Sequence, residues 1–98
     1  MSEEWIRHAL EQSRATLARE ADLNVLRSCY ASLTSREREV MALVVSGLLN
    51  KQVGDELGIS EITVKVHRGQ VMRKMKAGSL PDLVTKAARL GLQAATAH

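Results

Sequence analysis

Residues 50–75, NKQVGDELGISEITVKVHRGQVMRKM, decide the fold. A short helical pattern ends at Gly58-Ile59-Ser60, and a longer helix rich in Lys and Arg follows it. This is the arrangement of a helix-turn-helix, whose second helix enters the major groove of DNA. Gly54 lets the two helices cross closely, and the hydroxyl of Ser60 can cap the second helix. The stretch therefore predicts a DNA-binding protein.

The positive charge of the chain is concentrated on this second helix. Residues 61–76 hold five Lys and Arg side chains against Glu61 alone, a net +4, whereas all 98 residues together carry +3. Taken alone, such a pattern is typical of an ordinary solvated helix face. Because it coincides with the turn signature, it indicates a surface that contacts phosphates.

Length and composition limit the class of protein. A chain of 98 residues forms one small domain, and its only aromatic residues are Trp5 and Tyr30, so we expect an aliphatic helical core. So few aromatic side chains argue against a platform that stacks single-stranded bases. The single cysteine, Cys29, excludes an internal disulfide and fits a reducing compartment. No apolar run approaches the roughly 20 residues of a membrane span, so we expect a cytoplasmic protein.

The predicted architecture is all-α, with a long linker helix in residues 1–32 and a four-helix domain in residues 33–98. We expect helices at about 4–30, 35–46, 51–57, 61–76 and 80–90. Thr34 and Glu37 form a capping box at the second helix, and Asn50 and Ser79 are expected to cap the third and fifth. The first helix fits a heptad register only loosely. This favours a linker helix over a coiled coil and leaves its first half free to project or to pair with a second copy.

The second helix of the helix-turn-helix has one buried and one exposed face. At 100° per residue, Val64, Val71 and Met75 share a narrow stripe that predicts the core side. On the other side, Lys65 can donate to guanine and Val66 can meet a thymine methyl group. The predicted base readers are Lys65, Val66, Gly69 and Gln70, the last for adenine. The predicted phosphate contacts are Asn50, Lys51, Ser60, Thr63, Arg68, Arg73 and Lys74.

The last helix predicts a dimer. One helix-turn-helix reads too few base pairs to select one site in a genome, so a second copy is needed. The last helix carries more apolar residues than one short helix needs for its own core, and small residues let two such helices approach across a two-fold axis. The predicted dimer contacts are Leu80, Leu83, Val84, Ala87 and Ala88.

Residues 33–92 resemble the DNA-binding output domain of LuxR/NarL/FixJ-type regulators. The resemblance is carried by Leu33-Thr34, the REREV segment at 36–40, Gly58-Ile59-Ser60, TVK at 63–65, His67 and Lys74. VKVHRG and SLPDLV are similar to the FixJ branch of two-component response regulators. The resemblance implies that the positions of Lys65, Val66 and Gly69 face bases, that those of Thr63 and Lys74 contact phosphates, and that the last helix dimerises.

The resemblance also implies a phosphate-accepting receiver domain before the output domain. Residues 1–32 resemble the linker helix that joins the two, and no receiver sequence precedes them. Two explanations stay open: an isolated output domain, or a regulator that naturally lacks a receiver. RNA polymerase is a candidate partner of such a regulator, besides double-stranded DNA and a second copy.

Nothing in the sequence favours catalysis or cofactor binding. His67 is expected to be a structural histidine, and His8 and His98 have no partners at metal-ligand spacing. No nucleophile–base pair or phosphate-binding glycine loop is present, so we expect neither an enzyme nor a cofactor or small-molecule ligand. Two alternatives remain: a sigma-factor region-four module, and a helical interaction protein that uses residues 1–30 to sequester a regulator.

Overall fold

The computed structural model describes residues 3–92 and contains five helices. They are α1 (Glu3–Ala31), α2 (Ser35–Val45), α3 (Asn50–Leu57), α4 (Glu61–Lys74) and α5 (Leu80–Arg89). No strand occurs within these described residues. The all-α prediction is confirmed, and each helix end lies within about two residues of its predicted position. The outer limits of the two predicted segments, at 1 and 98, lie outside the described residues, as does His98.

The core joins α2, α3, α4 and α5 and is built from aliphatic and methionine side chains. The predicted stripe of α4 faces it, because Val64, Val71 and Met75 are fully or almost fully buried. Burial of such side chains is the main source of stability for a domain with so few aromatic residues. The remaining buried members are Leu33, Val40, Met41, Leu43, Val44, Val53, Leu83 and Ala87.

Side-chain caps define most of the helix starts. The Thr34 hydroxyl accepts a hydrogen bond from the Glu37 amide at 3.1 Å, and the Glu37 carboxylate accepts one from the Thr34 amide at 2.9 Å. Ser60 accepts from the Thr63 amide at 3.1 Å. Ser79 accepts from the Asp82 amide at 3.2 Å. These three predicted caps are confirmed.

The predicted cap at Asn50 is wrong. The residue at the N-cap position of α3 is Leu49, whose side chain has no acceptor, and Asn50 is already the first residue of the helix. The side chain of Gln52 compensates by accepting from the Leu49 amide at 2.8 Å. This leaves the side chain of Asn50 available for a partner on another helix.

The turn between α3 and α4 brings two backbone segments into direct contact. Gly58 ends α3 in the left-handed region at φ 69°, and the Ile59 amide donates to the Gly54 carbonyl at 3.0 Å. A Cβ atom on Gly54 would lie 2.6 Å from the carbonyl oxygen of Ile59, closer than real Cβ atoms approach. The predicted close crossing at Gly54 is therefore confirmed.

Helix α1 packs on the domain only near its C-terminal end. Leu26 is its one buried residue, and Cys29 and Tyr30 are half-buried against the core. The apolar side chains further towards its start are exposed, among them Leu10 and Leu17. The described residues consequently extend over 65 × 27 × 20 Å. The first half of α1 extends away from the domain, and its pairing with a second copy stays a prediction.

Candidate nucleic-acid interface

Helix α4 presents an outer face that the core does not use. Ile62 is 74 % exposed and Val66 59 % exposed, one helical turn apart. Lys65 beside them is also exposed. Large apolar side chains that stay in water on the side opposite a buried stripe indicate a contact surface rather than a packing surface.

Gly69 continues this face and has open space in front of it. A Cβ atom at this position would have no neighbour within 4 Å. Internal packing therefore does not require a glycine here, unlike at Gly54. The space is available to whatever approaches α4 from outside, and the predicted readers Lys65, Val66 and Gly69 share one exposed surface.

Gln70 and Arg73 are joined at the edge of this surface. The half-buried Gln70 accepts at its Oε1 from the Nε of Arg73 at 3.2 Å, and the Nη2 of Arg73 donates to the same oxygen. Two predicted contacts, one to a base and one to a phosphate, are thus bound to each other before any ligand arrives. Only their spacing of three residues, which makes them neighbours on a helix, indicates this pairing in the sequence.

The N-terminal ends of α3 and α4 carry further predicted phosphate contacts. The hydroxyl oxygens of Ser60 and Thr63 lie 2.8 Å apart at the start of α4. Helix N-termini favour anions because backbone N–H groups and the helix dipole point outward there. Lys51 is exposed in the first turn of α3.

Arg68 connects the two helices of the helix-turn-helix. Its Nη1 donates to the Oδ1 of Asn50 at 3.0 Å, so the predicted phosphate contacts Arg68 and Asn50 form a polar link between α4 and the start of α3. Both side chains belong to residues that are half-buried. The guanidinium keeps further N–H groups that this single bond does not use.

Lys74 has a different position from the one expected of a phosphate contact. Its Nζ lies 2.7 Å from the Oε1 of Glu37 and 3.4 Å from the carbonyl oxygen of Ser32. Glu37 is only 5 % exposed, so the ion pair is well shielded on the carboxylate side. The hydrogen bond from Lys74, together with that from the Thr34 amide, holds the pKa of Glu37 below its ordinary value. The lysine ties the end of α4 to the start of α2, and sequence reasoning missed this pair.

Helix α5 divides the predicted dimer contacts into two groups. Leu83 is 0 % exposed and Ala87 3 % exposed, and both belong to the domain's own core. They cannot also contact a second copy, so their assignment to the interface is wrong. Val84 and Ala88 are exposed one turn apart, and Leu80 is half-buried at the start of the helix.

Two further properties of residues 3–92 bear on function. No group of three or more His, Cys, Asp or Glu side chains in this part of the chain could hold a metal ion. Over the same residues, no helix is both long enough and apolar enough to cross a membrane.

A helix-turn-helix with a basic, exposed second helix defines a DNA-binding domain. The family described as "Bacterial regulatory proteins, luxR family" matches residues 31–87, more than half of the chain. The chain belongs to this family. It is a DNA-binding regulatory domain and not an enzyme, and the resemblance inferred from the sequence is confirmed.

Several relatives are similar over most of the chain. Nodulation protein W of Bradyrhizobium diazoefficiens is 46 % identical over 86 residues, which are 88 % of this chain and 38 % of the relative. Transcriptional regulatory protein FixJ of Rhizobium meliloti is 48 % identical over 84 residues, which are 86 % and 41 % of the two chains. The crystal structure of full-length FixJ from B. japonicum is 40 % identical, with a TM-score of 0.72 over 90 % of this chain and 43 % of that one. This chain therefore spans about two fifths of the length of these relatives.

Proposed function

We propose that the chain is the output domain of a FixJ-like response regulator that binds paired half-sites on double-stranded DNA as a dimer. The supporting observation is the outer face of α4, where exposed apolar and basic side chains lie opposite a fully buried stripe. The names of the relatives, FixJ and response regulators such as TodT, support the regulatory role.

Sequence is read, in this proposal, by the exposed side chains of α4 in the major groove. Lys65 donates to guanine, Val66 packs on a thymine methyl group, and Gly69 lets the helix approach the base edges. Ile62, one turn before Val66, widens the apolar contact. This arrangement needs no rearrangement of the domain, since all four residues are already exposed.

Affinity comes from phosphates on both sides of the groove. Ser60 and Thr63 at the start of α4, with Lys51 at the start of α3, place hydroxyl and ammonium donors where the backbone of a duplex passes a docked helix. Arg68 can contact a phosphate with the N–H groups that Asn50 does not use. Lys74 is not needed for this set because Glu37 holds its ammonium group.

Dimerisation uses the part of α5 that stays exposed. Val84 and Ala88 form a narrow apolar strip with Leu80 at its edge, and Leu83 and Ala87 anchor the helix from behind. Such a small strip implies a weak contact that forms on DNA, where neighbouring half-sites raise the effective concentration. A pair bound in this way beside a promoter would act on RNA polymerase.

Selection of bound fragments from a random duplex pool tests the proposal. We expect enrichment of two similar half-sites at a fixed spacing, protected together in a footprint. Enrichment of a single unpaired site would contradict the dimer, and the absence of any enriched sequence would contradict specific binding. Binding of core polymerase without a separate DNA site would favour the sigma-factor alternative.

Helix α1 supports protein binding as a second function. Trp5, Ile6, Leu10 and Leu17 are each at least half exposed, because nothing in residues 3–92 covers them. Substituting Leu10 and Leu17 by Ser would test it: loss of self-association in sedimentation, with unchanged binding to a single half-site, is the result expected of such a function. If the wild-type chain and the variant sediment identically, α1 does not pair with a second copy.

A further inference from the structure

The orientation of the Gln70 amide is fixed by its neighbour. A guanidinium group can only donate hydrogen bonds, so the amide atom that faces Arg73 must be the oxygen Oε1 and not the nitrogen. Arg73 donates to this oxygen from both Nε and Nη2. The two N–H groups belong to one edge of the guanidinium and converge on this single oxygen, so the oxygen is turned towards Arg73. What Gln70 can offer to a ligand is therefore its NH₂ group, which only donates.

This restriction changes which base Gln70 can recognise. The paired contact of glutamine with adenine needs both atoms of the amide, because the oxygen accepts from adenine N6 while the nitrogen donates to N7. A donor alone instead fits guanine, which presents two acceptors, O6 and N7, in the major groove. Adenine offers only one acceptor, N7, beside an amino group that would face the NH₂ of Gln70, and cytosine offers only an amino group, so both accept fewer bonds from Gln70 than guanine does.

We propose that Arg73 is a specificity-determining positioning residue, which occupies the oxygen of Gln70 and so makes Gln70 a reader of guanine rather than of adenine. The inference rests on the proposed docking of α4 in the major groove. It replaces both earlier expectations for this pair, adenine recognition by Gln70 and a simple phosphate contact by Arg73. Lys65 on the same face also carries hydrogen-bond donors only, so it favours guanine for the same reason.

The test compares four chains: the wild type, Arg73→Met, Gln70→Ala and the double variant. Arg73→Met keeps an unbranched side chain at an exposed position but removes the two N–H donors, Nε and Nη2. The base pair read by Gln70 is identified first, as the one where Gln70→Ala loses the preference that the wild type shows in selection. Each chain is then titrated with two duplexes that carry G·C or A·T at that pair.

In the wild type we expect the guanine duplex to bind more tightly. In Arg73→Met the freed oxygen should move the ratio of the two dissociation constants towards adenine by about fivefold or more, as expected for one paired base contact. In the Gln70→Ala background the same change at residue 73 should leave the ratio unmoved. Circular dichroism checks the fold, and Arg73→Ala gives a second removal of the donors.

Different outcomes separate the inference from the proposed function. If Arg73→Met and Arg73→Ala weaken both duplexes equally, Arg73 acts only on phosphate and the inference is overturned while specific binding stands. A wild type that prefers adenine at the identified pair overturns it as well. A wild type that selects no sequence at all overturns the proposed function, and the inference with it.

Discussion

At the scale of single residues, the carboxylate of Glu37 connects two helices that are far apart in the sequence. It accepts hydrogen bonds from the Thr34 amide and from the ammonium group of Lys74. One residue thus caps α2 and fastens the end of α4. The Glu37–Lys74 ion pair fixes the end of α4 against α2, and α4 is the helix that carries the proposed base readers.

Removing this pair should lower stability more than DNA affinity. Glu37→Gln and Lys74→Met should each cost about 1–3 kcal/mol of unfolding free energy, since a shielded charged or polar group loses its partner. Urea unfolding measures the cost, with the double variant closing the cycle. Arg36→Met is the matched control, because its ion pair with Glu39 is exposed and should contribute little. Equal costs for Arg36→Met and Lys74→Met would contradict the special position of Glu37.

The same pair predicts a dependence of stability on pH. The folded state lowers the pKa of Glu37 from 4.5, so it holds the proton less tightly than the unfolded state does. Its contribution is therefore complete above about pH 4.5 and is lost as the pH falls through the lower pKa of the folded state. The stability difference between the wild type and Glu37→Gln should shrink over that acid range. A difference that stays constant down to pH 2 would show that the carboxylate charge is not involved.

Lys65 tests whether α4 reads bases. Lys65→Ala should cost about 1–3 kcal/mol on the selected site and much less on random duplex, because base contacts specify whereas phosphate contacts position. Lys51→Ala should weaken both duplexes similarly and flatten the slope of log affinity against log salt by about one. Titrations at several salt concentrations separate the two variants. A loss for Lys65→Ala that is equal on both duplexes would remove Lys65 from the readers.

Local signals explain what the sequence could predict. Each cap joins residues within one helical turn, Thr34 to Glu37 and Ser60 to Thr63, so spacing alone indicates these caps. Glu37 and Lys74 are 37 positions apart, and no local pattern connects them. The predicted cap at Asn50 is wrong because a polar residue at the first position of a helix is hard to distinguish from a cap residue. The capping hydrogen bond comes instead from inside the helix, where the side chain of Gln52 accepts from the Leu49 amide.

At the scale of elements, the turn of the helix-turn-helix depends on contact between backbones. Gly54→Ala would place a methyl group 2.6 Å from the Ile59 carbonyl, and a backbone atom cannot rotate away as a side chain does. We expect a loss of about 1–3 kcal/mol, as for other overpacked sites, and weaker DNA binding as α4 shifts. Gly69→Ala is the control: its new methyl group meets nothing within 4 Å, and alanine is the better helix former, so the variant should gain about 0.5–1 kcal/mol of unfolding free energy. Equal midpoints for both variants would contradict the close crossing.

Helix α5 shows why an apolar helix face alone does not indicate whether it packs in the core or against another molecule. The sequence indicates which residues share a side of the helix. In the structure, Leu83 and Ala87 are buried in the domain's core, whereas Val84 and Ala88 are exposed. Periodicity gives the same signal for both uses. The distinction required the position of α5 against α2, which depends on residues far away in the sequence.

Val84→Glu should abolish cooperative binding to paired half-sites and spare both the fold and binding to one half-site. A charge placed in a small apolar contact loses hydration without a partner. Val25→Glu is the matched control, because the same change falls on an exposed valine of α1. Leu83→Ala should instead lower stability by about 2–5 kcal/mol, as for a buried leucine. Gel shifts on one-site and two-site duplexes measure the cooperativity, and an unchanged value in Val84→Glu would place the dimer elsewhere.

The whole molecule consists of a small domain and one helix that leaves it. Residues of α1 before Leu23 are exposed throughout the described part, so the domain gains little stability from them. Residues 1–22 also carry three Arg and five acidic side chains, so a chain that lacks them has a formal net charge of +5 instead of +3. The projecting half of α1 therefore reduces the positive field of the domain without supporting its core.

Deleting residues 1–22 should separate these two effects. The unfolding free energy should change by no more than about 0.5 kcal/mol, because residues 3–22 are all exposed. Binding to random duplex at low salt should tighten slightly and lose this advantage at high salt, since the added attraction is screened. Leu26→Ala in the full chain is the control, and it should lower stability by about 2–3 kcal/mol because Leu26 is the buried anchor of α1. If the deletion keeps the stability but removes cooperative binding to paired half-sites, the dimer contact lies on the exposed apolar side chains of α1 and not on Val84 and Ala88.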